Sequence, residues 1–197
     1  MAGQIADASP KAVLRREILA ARDALAPAAR TKASAKISQQ LLALDAWKNA
    51  RTVLVYLTFG SEFDTAALLE RAAAAGKTIC LPRVDRTARR LEIHAVANLA
   101  DDVQAGVWGI REPRPACPPV ALDAIEFVLV PGIAFTPRCE RLGYGGGYYD
   151  ALISRFAQRP PLVAAAFALQ LRDNIPLSAR DRSIDLVVTE DAAYCGC

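Results

Sequence analysis

The sequence predicts an α/β fold: a single-domain open, mostly parallel sheet with helices on both faces, of the Rossmann-like three-layer kind. Two observations lead to this class. First, 197 residues and 21.1 kDa are ample for one domain and tight for two. Second, short apolar runs typical of strands covered on both faces alternate along the chain with segments of helical periodicity. We therefore expect residues 1–197 to form one domain, with alanine-rich helices packed closely on the sheet.

The first fifty residues predict two helices. Ser9 followed by Pro10 is a helix start, because serine caps the first N–H groups and proline suits the first turn. Leu14 and Ile18 continue the apolar spacing of one helix face. We expect Pro27 to end this helix, and a second helix to begin at about residue 31.

The next segment predicts a βαβ unit. Residues 53–57 form an unbroken apolar run, and Asp64 is placed to cap a helix running to about residue 75. Gly76 supplies a left-handed stop. Residues 78–81 then predict a strand that ends at Pro82.

The second half of the chain predicts four more strands and one helix. His94 lies in an alternating run that indicates a half-buried strand, with the histidine on the polar face. Proline and turn residues make 101–119 an irregular crossing. The strands are expected at residues 91–96, 127–130, 162–167 and 185–189, and the helix from about residue 147 to 156.

Composition excludes several classes of protein. The longest apolar run is under half of the ~20 residues that span a bilayer, and the first seven residues lack the order of a signal peptide. With one histidine and five cysteines in no CxxC pair, neither a zinc site nor a disulfide framework is indicated. We expect a cytoplasmic protein with reduced thiols and no membrane partner, and we expect a frayed terminus at Cys195 to Cys197.

Positive charge is concentrated at the amino terminus. Residues 1–51 carry nine Lys or Arg and four Asp or Glu, a net of +5, within a chain of +3 overall. Two interpretations stay open: solvated basic faces of two amphipathic helices, or attraction of a multiply charged anion such as a nucleotide phosphate. A nucleic-acid surface is not expected, because no basic run interleaved with aromatic residues is present.

A glycine-rich segment follows the strand predicted at residues 127–130. Four glycines in five residues allow the backbone to approach a ligand closely, and ligands of open α/β sheets bind beyond the carboxyl ends of strands. Arg141 adds a cation before this segment and Asp150 a candidate magnesium ligand after it. The spacing matches neither a P-loop nor a dinucleotide fingerprint. The segment therefore predicts a different phosphate cradle, against the alternative of a flexible turn whose tyrosines pack on the sheet.

Residues 141–150, RLGYGGGYYD, resemble the signature of the 5-formyltetrahydrofolate cyclo-ligase (methenyltetrahydrofolate synthetase) family. Residues 11–15 resemble its amino-terminal Lys-x-x-Leu-Arg element, and Tyr56-Leu57 followed by Glu62 resembles its folate contact. Further landmarks match in order and spacing through residue 190. Three positions depart from the family pattern: Thr136 stands where Asp is usual, Cys139 where Gly is usual and Arg180 where His is usual. A cysteine at 139 would shift the approach to the glycine segment if that position needs positive φ.

The resemblance implies a magnesium-dependent enzyme that uses ATP to convert 5-formyltetrahydrofolate into 5,10-methenyltetrahydrofolate through a phosphorylated formyl (iminium phosphate) intermediate. It implies that Lys11 and Arg141 act in catalysis, that Asp150 and Asp185 bind Mg²⁺, and that Leu57 and Glu62 contact the pterin. Tyr144, Gly145, Gly146, Gly147 and Tyr148 are implied to contact the folate as well as ATP. The remaining implied ATP contacts are Lys11, Arg15, Arg141, Leu142, Gly143 and Tyr149.

Two alternatives remain open at the level of sequence. A folate-binding or storage protein would keep the pocket without efficient phosphoryl transfer, and an ATP-dependent kinase or ligase would share the phosphate cradle but act on another small acid. We expect a monomer whose partners are 5-formyltetrahydrofolate and ATP.

Overall fold

The computed structural model describes residues 9–196, with the side chain of Trp108 excepted. The five helices are α1 Pro10–Asp23, α2 Pro27–Ala43, α3 Asp45–Asn49, α4 Ala66–Ala74 and α5 Tyr148–Ile153. The strands are β1 Thr52–Leu54, β2 Thr78–Asp85, β3 Arg90–Val96, β4 Val103–Ala105, β5 Arg111–Pro113, β6 Phe127–Leu129, β7 Ala134–Phe135, β8 Arg141–Leu142, β9 Leu162–Ala165, β10 Leu186–Val188 and β11 Ala193–Cys195.

Seven strands form one sheet in the order β11-β10-β9-β6-β1-β2-β3. The five central strands run parallel, and β3 and β11 pair antiparallel at the two edges. Helices α2, α3 and α4 pack on one face through residues such as Leu41 and Leu68, and α5 packs on the other through Leu152. The predicted class, an open and mostly parallel sheet with helices on both faces, is confirmed.

Helix α1 begins as predicted but ends earlier than expected. The Ser9 Oγ accepts a hydrogen bond from the Ala12 N–H at 3.3 Å, and α1 stops at Asp23. The expectation that Pro27 ends this helix is wrong, because Pro27 opens α2 instead. Proline suits that place, since the first turn of a helix leaves its N–H groups without helical partners.

Strand β2 continues through Pro82, where a stop was predicted. The last residue of β1 paired with β2 is Leu54, opposite Cys80. Beyond Cys80, β2 pairs with β3 alone, out to Asp85. A proline is tolerated there because one side of the strand is already an edge, where no ladder hydrogen bond is lost. The left-handed stop at Gly76 is confirmed by its φ of +67°.

Two minor expectations are also wrong. Cys195, expected in a frayed terminus, instead pairs with Leu186 of β10, because β11 completes the edge of the sheet. His94 is 4% exposed, and its Nδ1 lies 2.8 Å from the Cys117 carbonyl oxygen, because β5 and the 117–119 segment cover that face. Residues 1–8, on which the signal-peptide expectation falls, and Cys197, the last residue of the expected frayed terminus, lie outside the described residues. Within residues 9–196 no helix combines the length and apolarity that a bilayer crossing requires.

The strand β6 carries the chain to the site. After Val130, the chain forms the β7–β8 hairpin and then the glycine loop, residues 143–147, which leads into α5. Helix α1 lies across this hairpin, with Ile18 packed against Ile133 and Leu142 in a small buried cluster. The amino-terminal helix and the glycine loop are thereby held on one side of the molecule.

Candidate active site

A cavity of about 1010 Å³ lies beyond the carboxyl ends of the central strands. Its walls come from α1, the β1–α4 loop, β2, the glycine loop, the start of α5 and the segment 178–182. Of the predicted site residues, it is lined by Lys11, Arg15, Leu57, Glu62, Arg141, Gly143, Tyr144, Gly145, Gly146, Gly147, Tyr148, Tyr149 and Asp150. Leu142 and Asp185 do not line it: the side chain of Leu142 is buried under α1.

Glycine is required at two points of the loop by its geometry. A Cβ at position 143 would lie 2.7 Å from Nη1 of Arg141, so a side chain there would collide with the guanidinium. Gly147 is the residue before α5 and has a φ of +69°, which L side chains rarely adopt. The backbone N–H groups of Gly145 and Gly146 donate to no acceptor among residues 9–196. The loop thus offers free main-chain donors to the cavity.

Two cations of α1 border this loop. The Nζ of Lys11 forms an ion pair with Asp181 and donates to the Ser178 Oγ at 3.2 Å. The Nε of Arg15 donates to the Gly143 carbonyl oxygen at 2.8 Å. Lys11 and Arg15 are therefore not part of a solvated helix face, since both line the cavity and bond to other segments of the chain.

Arg141 is a fixed, buried cation. Its side chain is 2% exposed, and its Nη2 lies 2.6 Å from Oδ1 of Asp150. Its Nη1 donates to the Pro131 carbonyl oxygen at 3.1 Å. An arginine held by two partners keeps a set orientation, which a group that stabilises developing charge requires.

The two predicted magnesium ligands lie in different surroundings. Asp150 lines the cavity, and its Oδ1 accepts from both Arg141 and the Arg182 N–H, the latter at 3.0 Å. Asp185 precedes β10 at the amino end of the strand, where it accepts from the Leu162 N–H at 2.8 Å and pairs with Arg159 at 2.8 Å. Asp150 and Asp185 therefore do not form the predicted pair of magnesium ligands, because the Asp185 carboxylate is hydrogen-bonded at the amino ends of β9 and β10. Residues 9–196 hold no cluster of three His, Cys, Asp or Glu side chains suited to a metal.

The opposite wall carries a buried carboxylate and an apolar side chain. Glu62 accepts from the Phe59 N–H at 3.0 Å and from the Tyr144 hydroxyl. Burial raises the pKa of Glu62, against the lowering effects of the Tyr144 and Phe59 hydrogen bonds and of the Arg22 charge. Leu57 lines the same end of the cavity. One cavity therefore joins a cationic, glycine-rich end to an apolar end with a buried acid.

Comparison with known proteins decides between the classes that such a cavity allows. The model of the 5-formyltetrahydrofolate cyclo-ligase family matches residues 7–190, nearly the whole chain. The chain belongs to this family. The resemblance expected from residues 141–150 is confirmed, and the members of this family are enzymes that act as ligases in folate metabolism.

Individual relatives agree over most of their length. The Saccharomyces cerevisiae 5-formyltetrahydrofolate cyclo-ligase is 30% identical over 205 residues, which cover 93% of this chain and 96% of the relative. A probable 5-formyltetrahydrofolate cyclo-ligase of Schizosaccharomyces pombe is 29% identical, covering 80% and 84%. The Aquifex aeolicus 5,10-methenyltetrahydrofolate synthetase structure superposes with a TM-score of 0.84 at 29% identity, covering 95% of this chain and 93% of that one.

The departure from the cyclo-ligase pattern at Cys139 falls on a position of positive φ. Cys139 has a φ of +62°, and the β7–β8 hairpin forms around it. Its thiol is buried, with Sγ 3.1 Å from the Tyr194 carbonyl oxygen. Of the other two departures, the Thr136 hydroxyl donates to Glu140 at 2.9 Å, and Arg180 lines the cavity. The cysteine is therefore accommodated in a strained backbone conformation.

Sequence reasoning missed one buried cation of the cyclo-ligase cavity region. Arg22 is 3% exposed and donates to Tyr144 of the glycine loop. A signal for it was present: Arg15 and Arg22 follow Lys11 by four and eleven residues, a spacing that places all three on one helix face. The cavity-lining Arg182 was also missed, since nothing in its local sequence distinguishes it from a surface arginine.

Proposed function

We propose that this chain couples ATP hydrolysis to ring closure of 5-formyltetrahydrofolate, giving 5,10-methenyltetrahydrofolate, ADP and phosphate. The observation that carries the proposal is the single cavity in which the cations of α1 and Arg141 surround the glycine loop while Glu62 and Leu57 form the other wall. Two substrates of different chemistry, a triphosphate and a pterin, are matched by two ends of one space.

The chemistry explains why positioning suffices. A formamide carbonyl is a poor electrophile, and its oxygen does not leave as hydroxide. Attack of the formyl oxygen on the γ-phosphate of ATP breaks the bond to the β-phosphate oxygen and releases ADP, leaving an iminium phosphate. N10 of the folate then attacks that carbon and gives up its proton to the departing phosphate as the C–O bond breaks. Both nucleophiles belong to the substrate, so the protein's task is to align them and to stabilise charge.

The cationic end is assigned to ATP. Lys11, Arg15 and Arg141 line it from two sides. The N–H groups of Gly145 and Gly146, which have no acceptor among residues 9–196, supply hydrogen-bond donors for phosphate oxygens. Lys11 and Arg141 are the residues we assign to catalysis, because a cation close to the transferred phosphoryl group stabilises the charge of the transition state. Gly143, Tyr148 and Tyr149, which line the cavity, complete the assigned nucleotide contacts. Leu142 does not join them, because its side chain is buried under α1.

The carboxylate end is assigned to the folate. Leu57 supplies an apolar surface for the flat pterin ring, and Glu62 an acceptor for its N–H groups. Tyr144 bridges the two ends, since it belongs to the glycine loop and hydrogen-bonds to Glu62. Residues 144–148 are therefore assigned to both substrates.

Magnesium fits the nucleotide end through Asp150. This carboxylate lines the cavity, and only its Oδ1 is engaged by Arg141 and Arg182, which leaves Oδ2 without a partner among residues 9–196. Mg²⁺ commonly takes one or two carboxylates and completes its shell with phosphate oxygens and water, so one acid is sufficient. When bound, the ion neutralises phosphate charge. The second assigned ligand, Asp185, does not fit, because it lies outside the cavity and is paired with Arg159.

One assay separates the proposal from its rivals. Purified protein is supplied with 5-formyltetrahydrofolate, ATP and magnesium, and the near-ultraviolet absorption of the methenyl product is followed together with ADP. Product formation with equal ADP supports the cyclo-ligase, tight folate binding without either supports a storage protein, and ADP formed only with another acid supports a different ligase. With ¹⁸O in the formyl group, the label should appear in inorganic phosphate, and its retention elsewhere would contradict the phosphorylated intermediate.

The proposal also includes the location and the oligomeric state of the protein. We propose a cytoplasmic, single-domain monomer that acts on small molecules and binds neither nucleic acid nor membrane. Size-exclusion chromatography with light scattering tests the monomer, and salt-sensitive binding to polyanions in general would instead indicate a nucleic-acid module.

A further inference from the structure

A buried arginine joins two walls of the cavity. Arg22, in the last turn of α1, is 3% exposed. Its Nε donates to the Ser61 Oγ in the β1–α4 loop at 3.0 Å, and its Nη2 donates to the Tyr144 hydroxyl in the glycine loop at 3.1 Å. Ser61 in turn bonds to Asp23, so the fork of the guanidinium is held on both branches.

The hydrogen bonds around Tyr144 have a fixed direction. A guanidinium has donors and no acceptor, so the Tyr144 oxygen must accept from Arg22. The hydroxyl hydrogen is then directed to its other neighbour, Oε1 of Glu62. The second carboxylate oxygen, Oε2, accepts from the Phe59 N–H. Each carboxylate oxygen of Glu62 therefore accepts a hydrogen bond. This arrangement suits the ionised acid, because a proton on either oxygen would face a donor instead of an acceptor.

Burial opposes this ionised state, and Arg22 is the cation that counters it. The titratable groups that interact with Glu62 are the phenols of Tyr56, Tyr144 and Tyr149 and the guanidinium of Arg22. Burial raises the pKa of all three phenols, so they are neutral at the pH at which enzymes work. The acid Asp23 lies on the far side of Ser61. Among the residues that the structure describes, Arg22 is therefore the positively charged group that interacts with Glu62.

We propose that Arg22 is a positioning residue for the cyclo-ligase reaction, which through Tyr144 keeps Glu62 ionised and fixes the glycine loop against the folate end of the cavity. The inference rests on the proposed function, because an ionised Glu62 matters as an acceptor for the N–H groups of a pterin. If Glu62 were protonated, its O–H would itself be a hydrogen-bond donor and would face the N–H donors of the pterin. Arg22 itself needs no contact with either substrate.

The test compares the pH dependence of kcat/KM in wild type, Arg22→Met and Arg22→Lys. Loss of the charge should raise the pKa of Glu62, so the acid limb of the Arg22→Met profile should move to higher pH by about one unit. Activity lost at the acid side should return as the pH rises. Arg22→Lys keeps the charge but loses the two-branched geometry, so its acid limb should stay near that of wild type while kcat/KM falls several-fold across the range.

A second measurement reads the same coupling without turnover. In the free protein, the ¹³C NMR signal of the Glu62 carboxyl carbon should change with pH at a higher midpoint in Arg22→Met than in wild type. In a Glu62→Gln background, Arg22→Met should no longer shift any limb of the kcat/KM profile. Coincident wild-type and Arg22→Met profiles, or an unmoved ¹³C titration, would overturn the proposal.

The role of Arg22 can still be tested if a variant does not fold or if the wild-type protein lacks cyclo-ligase activity. If Arg22→Met does not fold, Tyr144→Phe carries the test, because it removes the bridging hydroxyl while Arg22 stays, and its ¹³C titration of Glu62 should also move to higher pH. Wild-type protein that makes no methenyl product would refute the proposed function, while the ¹³C titration would still decide whether Arg22 controls Glu62.

Discussion

Replacing Arg141 by alanine is the perturbation with the largest expected effect on turnover. Its guanidinium is held by Asp150 at 2.6 Å and by the Pro131 carbonyl at 3.1 Å, at the entrance of the glycine loop. Loss of a preorganised group that stabilises transition-state charge commonly costs about 3 to 4 kcal/mol, which lowers kcat by about two to three orders of magnitude. Arg141→Lys keeps the charge but not the fork, so its kcat should lie between those of wild type and alanine.

The same change has a cost in stability that must be measured alongside. Breaking a buried ion pair costs about 3 to 5 kcal/mol, and we take the lower end because Asp150 keeps the Arg182 N–H and is 20% exposed. For a chain of this size, about 3 kcal/mol lowers Tm by about 6 to 12 °C, so the variant should remain folded at 25 °C.

The assay is the initial rate of methenyl product formation at saturating substrates, with Tm recorded for each variant. Arg138→Ala is the matched control: it removes a neighbouring arginine whose side chain is 61% exposed and pairs with Glu140 outside the cavity. This control should keep its kcat within about twofold, because Arg138 does not line the cavity, and its Tm should change little, because an exposed ion pair adds little stability. A folded Arg141→Ala protein with turnover near wild type would refute the assigned role.

Three further predictions follow from particular contacts. Asp150→Asn should raise the Mg²⁺ concentration for half-maximal rate at least about tenfold, whereas Asp185→Asn should leave that titration unchanged; equal effects would contradict the assignment. Cys139→Gly should be more stable than Cys139→Ala by about 1 kcal/mol in urea unfolding, because glycine tolerates the φ of +62°; the opposite order would show that the position carries no strain. Burial raises the pKa of Asp181, but its bonds to Lys11 and Ser178 outweigh this and hold the pKa below its ordinary value. That contribution to stability is present above about pH 4 and lost as the pH falls through the lowered pKa, so Asp181→Asn should show a smaller loss of unfolding free energy between about pH 5 and pH 3.

Short sequence patterns predicted those features of the fold that depend on residues close together in the chain. The order of helices and parallel strands followed from apolar runs, caps and glycine stops such as Gly76. The place of the glycine loop before α5 followed from the glycine run. Boundaries failed where one residue type serves two purposes. A proline can end one helix or open the next, and Pro27 opens α2. Pro82 is tolerated in β2 because its neighbour β1 has already ended.

Arg22 and its contacts with two predicted site residues were missed, because they depend on tertiary placement. Arg22, Glu62 and Tyr144 are far apart in sequence, and they meet because α1 crosses the β7–β8 hairpin. Their burial and hydrogen bonds cannot be read from any one of the three segments. The position of Asp185 within a family landmark likewise did not predict that its carboxylate turns to Arg159 and the Leu162 N–H.

The most direct test of the proposed mechanism is a crystal structure with a non-hydrolysable ATP analogue, magnesium and 5-formyltetrahydrofolate. The γ-phosphate should lie within hydrogen-bond distance of Arg141 and of the N–H groups of Gly145 and Gly146, with the formyl oxygen facing it and the pterin beside Glu62. A triphosphate bound elsewhere, or a formyl group turned away from it, would contradict the mechanism.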